Sequence, residues 1–314
     1  MRCPWTSLLL AAVAAWVPIG TSAAVPKKIE LVLMLRERVP VEALAKNVLD
    51  PNSIRYEEFY TPAELREISA PSDADYNALI AQLKSKGIEI ISESPSHLVL
   101  TVRGATPIIE NLFGTRIVDA GGGRIKPRNE PQVPRSLSLI ASVSGLDTTR
   151  KSHPMFAMRS ELVSMDDDDP YSGMMPDAMR RYYGFDGITK AGLTGKGQHI
   201  AIAGYDAYDP TDVAFYRSFM IDHPGAEPDE VYFNGHPGPD PDSAAENDLD
   251  AEFSGMVAPQ AAVHLFLSEH NDDPGEVQLF TAILDDNRAK IANYSWGDCE
   301  SKVSAAHQIG RAHV

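Results

Sequence analysis

The chain has 314 residues, 44 acidic against 28 basic side chains, a formal net charge of −16 and an isoelectric point near 4.9. That charge argues against nucleic acid as a partner and suits a protein that works in acid, and the length predicts about two domains with ample core. Beyond the first 24 residues no stretch reaches the roughly 18 apolar residues of a spanning helix, so no membrane span is expected. Residues 1–24 carry Arg2, an apolar run from Leu8 to Ile19 and the small residues Thr21-Ser22-Ala23-Ala24, the layout of a secretory signal peptide. The expectation is a secreted chain, extracellular or periplasmic, in which Cys3 leaves with the leader and Cys299 has no internal disulfide partner.

Residues 25–147 alternate strand and helix signals. Ile29–Leu35 reads as a strand, Val41–Leu49 as a helix, and Ser72–Lys86 as a helix stopped by Gly87. Ile88–Ser92 and Leu98–Val102 read as strands around the turn Pro95-Ser96, Pro107 opens a short helix ending at Gly114, and a last strand is expected near Arg116–Asp119. Strand, helix, strand, strand, helix, strand is the split βαβ order of a ferredoxin-like domain, a fold that by itself names no function. Residues 148–175 read as a solvated linker: Thr148–Pro154 is polar and basic, and Asp166–Asp169 is a run of like charges without the spaced, glycine-containing pattern of a calcium loop.

The second domain, 176–308, opens with a helix over Asp177–Tyr183. Gly195-Lys196-Gly197 turns into the strand His199–Ala203, and helix Pro210–Phe219 follows. After a Gly/Pro/Asp-rich loop, Leu249, Phe253, Met256 and Val257 recur at steps of three and four, predicting an amphipathic helix ended by Pro259. At about 100° per residue Glu246 falls inside that stripe, Asp250 at its edge and Asp248 roughly opposite. Carboxylates four apart have Cβ atoms about 6 Å from each other and repel by roughly 3 kcal/mol at a dielectric near 20. Such a pair tends to share one proton in mild acid, which suits acid-range proton transfer. Spacing does not choose between Asp250 and Glu252 as the second member. Strand Ala262–Leu267, helix Val277–Asn287 and strand Ile291–Tyr294 complete an α/β pattern that implies a parallel sheet covered on both faces. His199, His264 and His270 lack metal-ligand spacing and read as structural.

Two sets of motifs resemble one family. Glu246-x-x-Leu249-Asp250-x-Glu252 followed by Gly255-x-Val257-Ala258-Pro259 resembles the catalytic helix of the sedolisins, the kumamolisin-type serine-carboxyl peptidases. Leu35-Arg36, Asp50-Pro51-x-Ser53-x-x-Tyr56, Thr61-Pro62-x-Glu64, Ala70-Pro71-Ser72, Lys86-Gly87, Phe113-Gly114-Thr115, Val133-Pro134-x-x-Leu137 and Val143-x-Gly145-Leu146-Asp147 resemble the pro-kumamolisin activation domain. The resemblance implies a propeptide that chaperones folding and blocks the active site as an intramolecular inhibitor. It also implies a subtilisin-like doubly wound catalytic domain acting on proteins or peptides, with Glu246 as general base and Asp250 as its orienting partner. Ser295-Trp296-Gly297, at a strand end where open α/β sheets bind ligands, matches the family's Ser-Trp-Gly and is the expected substrate cleft. Gly204 stands where some members carry an accessory Glu, which puts an extended proton network in doubt. The family also uses a Gly-Thr-Ser nucleophile, an Asp for the oxyanion and a calcium site, none of which occurs between Trp296 and Val314. The expectation is therefore an inactive, truncated zymogen whose residues 309–314 look like translated sequencing adapter. The alternative is a secreted non-catalytic inhibitor or binding module with a degenerate peptidase domain.

Overall fold

The computed structural model describes residues 25–154, 176–221, 224–238 and 241–299; residues 1–24, 155–175 and 300–314, with the expected leader and the expected adapter sequence among them, lie outside it. The first unit runs β1 (Lys28–Leu35), α1 (Val41–Leu49), α2 (Pro62–Ile68), α3 (Asp73–Ser85), β2 (Glu89–Glu93), β3 (Val99–Ala105), α4 (Thr106–Phe113), β4 (Ile117–Gly121), β5 (Arg124–Pro127) and β6 (Ile140–Ser144). Local chemistry sets the ends. Thr61 and Glu64 form a reciprocal capping box on α2, Ser72 caps α3, and Gly114 closes α4 in the left-handed conformation. α2, β5 and β6 have no counterpart among the elements that the sequence predicts.

Its sheet has the order β2-β3-β1-β6, antiparallel throughout. The segment near Arg116–Asp119 is a strand, but not the fourth of this sheet. Gly121, Gly122 and Gly123 all have positive φ and turn β4 back onto β5 as a separate ribbon, while Ile117 and Ile125 still reach the core. The vacant edge goes to β6, which pairs Val32 with Ser144 and Leu35 with Ile140. The apolar run of β1 is buried on both faces: Leu31, Leu33 and Leu35 pack with Tyr76, Leu79, Leu83, Ile109 and Phe113, whereas Val32 and Met34 point the other way.

A two-residue strand β7 (His153–Pro154) precedes α5 (Pro176–Tyr182), α6 (Asp186–Lys190), β8 (His199–Gly204), α7 (Pro210–Met220), β9 (Asp229–Phe233), α8 (Pro241–Val257), β10 (Ala262–Ser268), α9 (Asp273–Asp286), β11 (Ile291–Tyr294) and β12 (Trp296–Gly297). β11-β8-β10-β9 form a parallel sheet. The short, half-exposed edge strand β9 was not anticipated, nor was α6. On one face Ile202, Val263, Leu265 and Leu267 meet Val213 of α7 and Ala251 of α8; on the other Ala201, Ala203 and Phe266 meet Leu279 and Ile283 of α9. α9 is shared, because Val277 on its far side packs with Val32, Met34, Leu98 and Val99 of the first unit. One helix thus covers the second sheet and docks the first.

The expected apolar stripe of α8 is corrected. Leu249 and Val257 are each 44% exposed, and the buried residues are Glu246, Asn247, Asp250, Ala251 and Met256. Large aliphatics on the sheet leave room at close approach only for small residues on the helix, so the bulky ones swing to the flank. A Cβ on Gly255 would lie 2.9 Å from Nη1 of buried Arg217 on α7.

Candidate active site

The amino-terminal half of α8 carries Glu246, Asn247 and Asp250 to the carboxyl ends of the parallel strands, and two opposed contacts fix its rotation. Asn247 Nδ2 donates to the carbonyls of Asp206 (2.7 Å) and Ala207 (3.4 Å) just after β8, while Asp248 Oδ1 accepts from Asp209 N at 2.7 Å. Asp248 is therefore not the outward-facing residue that helical angle implied. It is partly buried against the start of α7, and burial first, then the charges of Asp209 and Asp212 against one backbone bond, raise its pKa to about 6. Glu252 joins that side, raised to about 7 by burial and then by Asp248 and Asp212.

Asp250, rather than Glu252, shares the cleft side with Glu246. Ser295 Oγ donates to Asp250 Oδ1 at 2.9 Å. Burial lifts both carboxyl pKa values; Asp250 adds to the rise at Glu246, and hydrogen bonding to Ser295 opposes it at both, helped at Asp250 by Asn293. The Ser295 hydroxyl is thus bonded to Asp250, the second member of the inward carboxylate pair. Glu246 Oε2, Asp250 Oδ2 and Trp296 Nε1 are buried without a hydrogen-bond partner among the described residues. Such a cluster of raised, unsatisfied carboxyl groups at a strand end is poised for proton transfer. Trp296 stands edge-on to Tyr205 with ring centroids 5.2 Å apart, and the Gly297 beside it has its backbone paired across the cleft. At Gly204 no accessory carboxylate is present; a Cβ there would lie 2.1 Å from Asn247 Oδ1, so the asparagine fills the space above the strand.

What pairs with Trp296 and Gly297 is the chain's own linker. Pro154 faces Trp296 and His153 faces Gly297 in an antiparallel ribbon. The segment 148–154 is therefore packed, not the solvated start of a hinge: Thr148 N donates to Ile125 O, Ser152 N donates to Asn271 O, and Tyr294 Oη donates to Ser152 Oγ. Arg150 is buried against Asp273 and Glu276 on α9. None of these linker and α9 residues was singled out from sequence. An acidic first turn after the cap Asp272 reads as ordinary helix chemistry and gives no sign of a partner.

His199 and His264 lie toward the opposite end of the sheet, whereas His270 follows the carboxyl end of β10, where its N–H donates to Ser268 Oγ. His199 Nδ1 and His264 Nε2 are 2.8 Å apart, and His264 leans on Asp229, itself paired with Arg288. Among the described residues no group of three or more His, Cys, Asp or Glu side chains is arranged to hold a metal ion.

Residues 18–149 match the family model described as pro-kumamolisin, activation domain. The chain is 24% identical over 287 residues to Sedolisin of Pseudomonas sp. (strain 101), covering 87% of this chain and 48% of that one. It is 28% identical over 186 residues to Kumamolisin of Bacillus sp. (strain MN-32), covering 56% and 33%. To Xanthomonalisin of Xanthomonas sp. (strain T-22) it is 27% identical over 134 residues, covering 41% and 16%. The chain spans about half, or less, of the length of these curated relatives.

Proposed function

We propose that this chain, a sedolisin-type peptidase precursor, is the secreted zymogen of an acid-acting serine-carboxyl endopeptidase. Its two units are read as a ferredoxin-like activation domain and the amino-terminal part of a subtilisin-like catalytic domain. The observation that carries the reading is the linker strand laid antiparallel on Trp296-Gly297, next to Ser295, whose hydroxyl is bonded to Asp250 of the Glu246–Asp250 pair. A peptide lying there presents its backbone to a buried proton acceptor, which is the position of a substrate, and an uncut linker in that position blocks the cleft.

In the reaction, a serine hydroxyl attacks the peptide carbonyl, Glu246 takes its proton and later returns it to the departing amine, and Asp250, one turn along α8, holds Glu246 in place. Burial, with the Asp250 charge beside it, raises the Glu246 carboxyl above its ordinary range, and a carboxyl group in the place of histidine as base puts activity in acid. The attacking serine belongs to a Gly-Thr-Ser segment, which in this sequence occurs only at Gly20-Thr21-Ser22, within the expected leader. The 314 residues by themselves are therefore expected not to turn over peptides.

The test is acid processing of the full-length gene product. Incubated near pH 4 and sequenced at its new amino terminus, it is expected to cut itself between about Thr148 and Met175. Cleavage only by added protease, or first inside residues 25–147, would sink the reading.

A further inference from the structure

The contact that anchors the linker differs from the rest of the interface between the two units. Arg150 is buried, and its guanidinium reaches Asp273 Oδ1 at 2.6 Å through Nη1 and Glu276 Oε2 at 3.4 and 3.3 Å through Nη1 and Nη2. Glu276 is 0% exposed, and the same Oε2 also accepts from Ser152 Oγ at 3.1 Å. Two carboxylates on the first turn of α9 thus face one cation, and two of the donors that hold Glu276 come from the linker rather than from the helix's own domain. Buried carboxylates keep their charge only when a partner compensates it. When the linker leaves, α9 retains an acidic pocket whose cation has gone with it.

The neighbouring contacts give that pocket a register. Ser152 N donates to Asn271 O at 2.8 Å and Asn271 Nδ2 donates to Ser152 O at 3.3 Å; the next two residues, His153 and Pro154, pair with Gly297 and Trp296. These are main-chain bonds that any extended peptide can make, so side chains are read only by the pockets flanking them. We infer that Asp273 and Glu276 form a guanidinium subsite of the peptide cleft, filled in cis by Arg150 and later by an arginine of a bound peptide. That arginine lies two residues before the one bonded to Asn271 and three before the one opposite Gly297. The inference rests on reading the linker as lying where a substrate lies. Arginine fits better than lysine, because Nη1 reaches both carboxylates while Nη2 adds a second contact to Glu276, a spread of donors on one planar group that a single ammonium does not reproduce.

The subsite is testable without peptidase activity. In the 314-residue chain, Arg150→Ala is expected to speed limited proteolysis of the 148–154 segment about tenfold. Millimolar methylguanidinium should reverse this and methylammonium should not. Arg150→Lys should fall between parent and Ala variant, and Arg150→Ala combined with Glu276→Gln should lose the rescue. Absence of rescue, or equal rescue by both cations, overturns the subsite and means that Glu276 is satisfied by a proton. In the processed full-length enzyme, a peptide with arginine at the assigned position should have a kcat/KM about 10–100-fold above its norleucine counterpart, and Glu276→Gln should flatten the difference. Equal turnover overturns the role in substrate choice. An enzyme with no turnover sinks the peptidase reading instead, while the cation rescue still decides the pocket.

Discussion

Glu246 and Asp248 sit two residues apart on one helix and are held by opposite walls, one by the cleft and one by the turn into α7. Replacing the proposed base, Glu246→Gln keeps shape and removes proton acceptance, so acid processing and turnover of the full-length protein are expected to fall by about 100-fold or more. Asp248→Asn keeps an oxygen for the Asp209 N–H and discards a charge that burial disfavours, so turnover is expected to change little and the neutral-pH melting temperature to rise slightly. Equal losses in a peptide-cleavage assay would contradict this division. Gly204 poses a second residue-scale question, since its ideal Cβ lies 2.1 Å from Asn247 Oδ1. Gly204→Ala is expected to cost about 1–3 kcal/mol by overpacking. Asn247→Ala removes the obstacle along with the bonds to Asp206 and Ala207. Chemical denaturation should therefore find the double variant less destabilised than the sum of the two single changes, the sign expected for residues in contact.

At the scale of elements, α7 and α8 enclose a carboxylate group that works against folding at neutral pH. Glu252, raised to about 7, and Asp248, raised to about 6, hold protons in the folded chain that the unfolded chain has already released near pH 5. The folded state binds more protons across that interval, so stability is full below about pH 4 and is lost as pH rises through 6 to 7. At about 1.4 kcal/mol per tenfold change in proton affinity, discounted for solvent screening of a partly buried group, Glu252 alone accounts for about 1–2 kcal/mol. Glu252→Gln is expected to raise the melting temperature at pH 8 by several degrees and leave it unchanged at pH 4.5. Thermal melts at the two pH values check this; a larger gain at pH 4.5 would reverse the assignment.

At the scale of the whole molecule, α9 joins the two units, with Leu279 and Ile283 on one sheet and Val277 on the other. The first unit has its own core, from Ile29 through Leu146, and residues 25–147 expressed alone are expected to melt cooperatively. Freed from α9, their Val32, Met34 and Val99 face is apolar and open, so the isolated unit should bind and inhibit the processed enzyme in trans. Val277→Ala on the enzyme should weaken that inhibition by about 1–2 kcal/mol, the transfer energy of two methyl groups. Unchanged inhibition constants would mean that docking depends on other contacts.

Most of the strands and helices were legible in the sequence because each follows a local rule: the doubly buried β1 is a continuous apolar run, Ser72 and Gly114 punctuate helices, and alternating strands and helices force a parallel sheet. Glu246 and Asp250 could be paired as neighbours by helical spacing alone, though spacing left Glu252 open as a rival. The structure separates them by which wall each faces, a matter of how α8 sits on β8 and β10. Tertiary packing also turned Leu249 and Val257 outward, because bulky sheet residues admit only small helix residues at close range, and gave the sheet edge to β6 after three glycines folded β4 onto β5. Arg150 lies more than 120 residues before Asp273 and Glu276 in the chain, and no periodicity connects it to them. Their pairing exists only because α9 lies between two domains, where burial makes a cation and its carboxylates depend on each other.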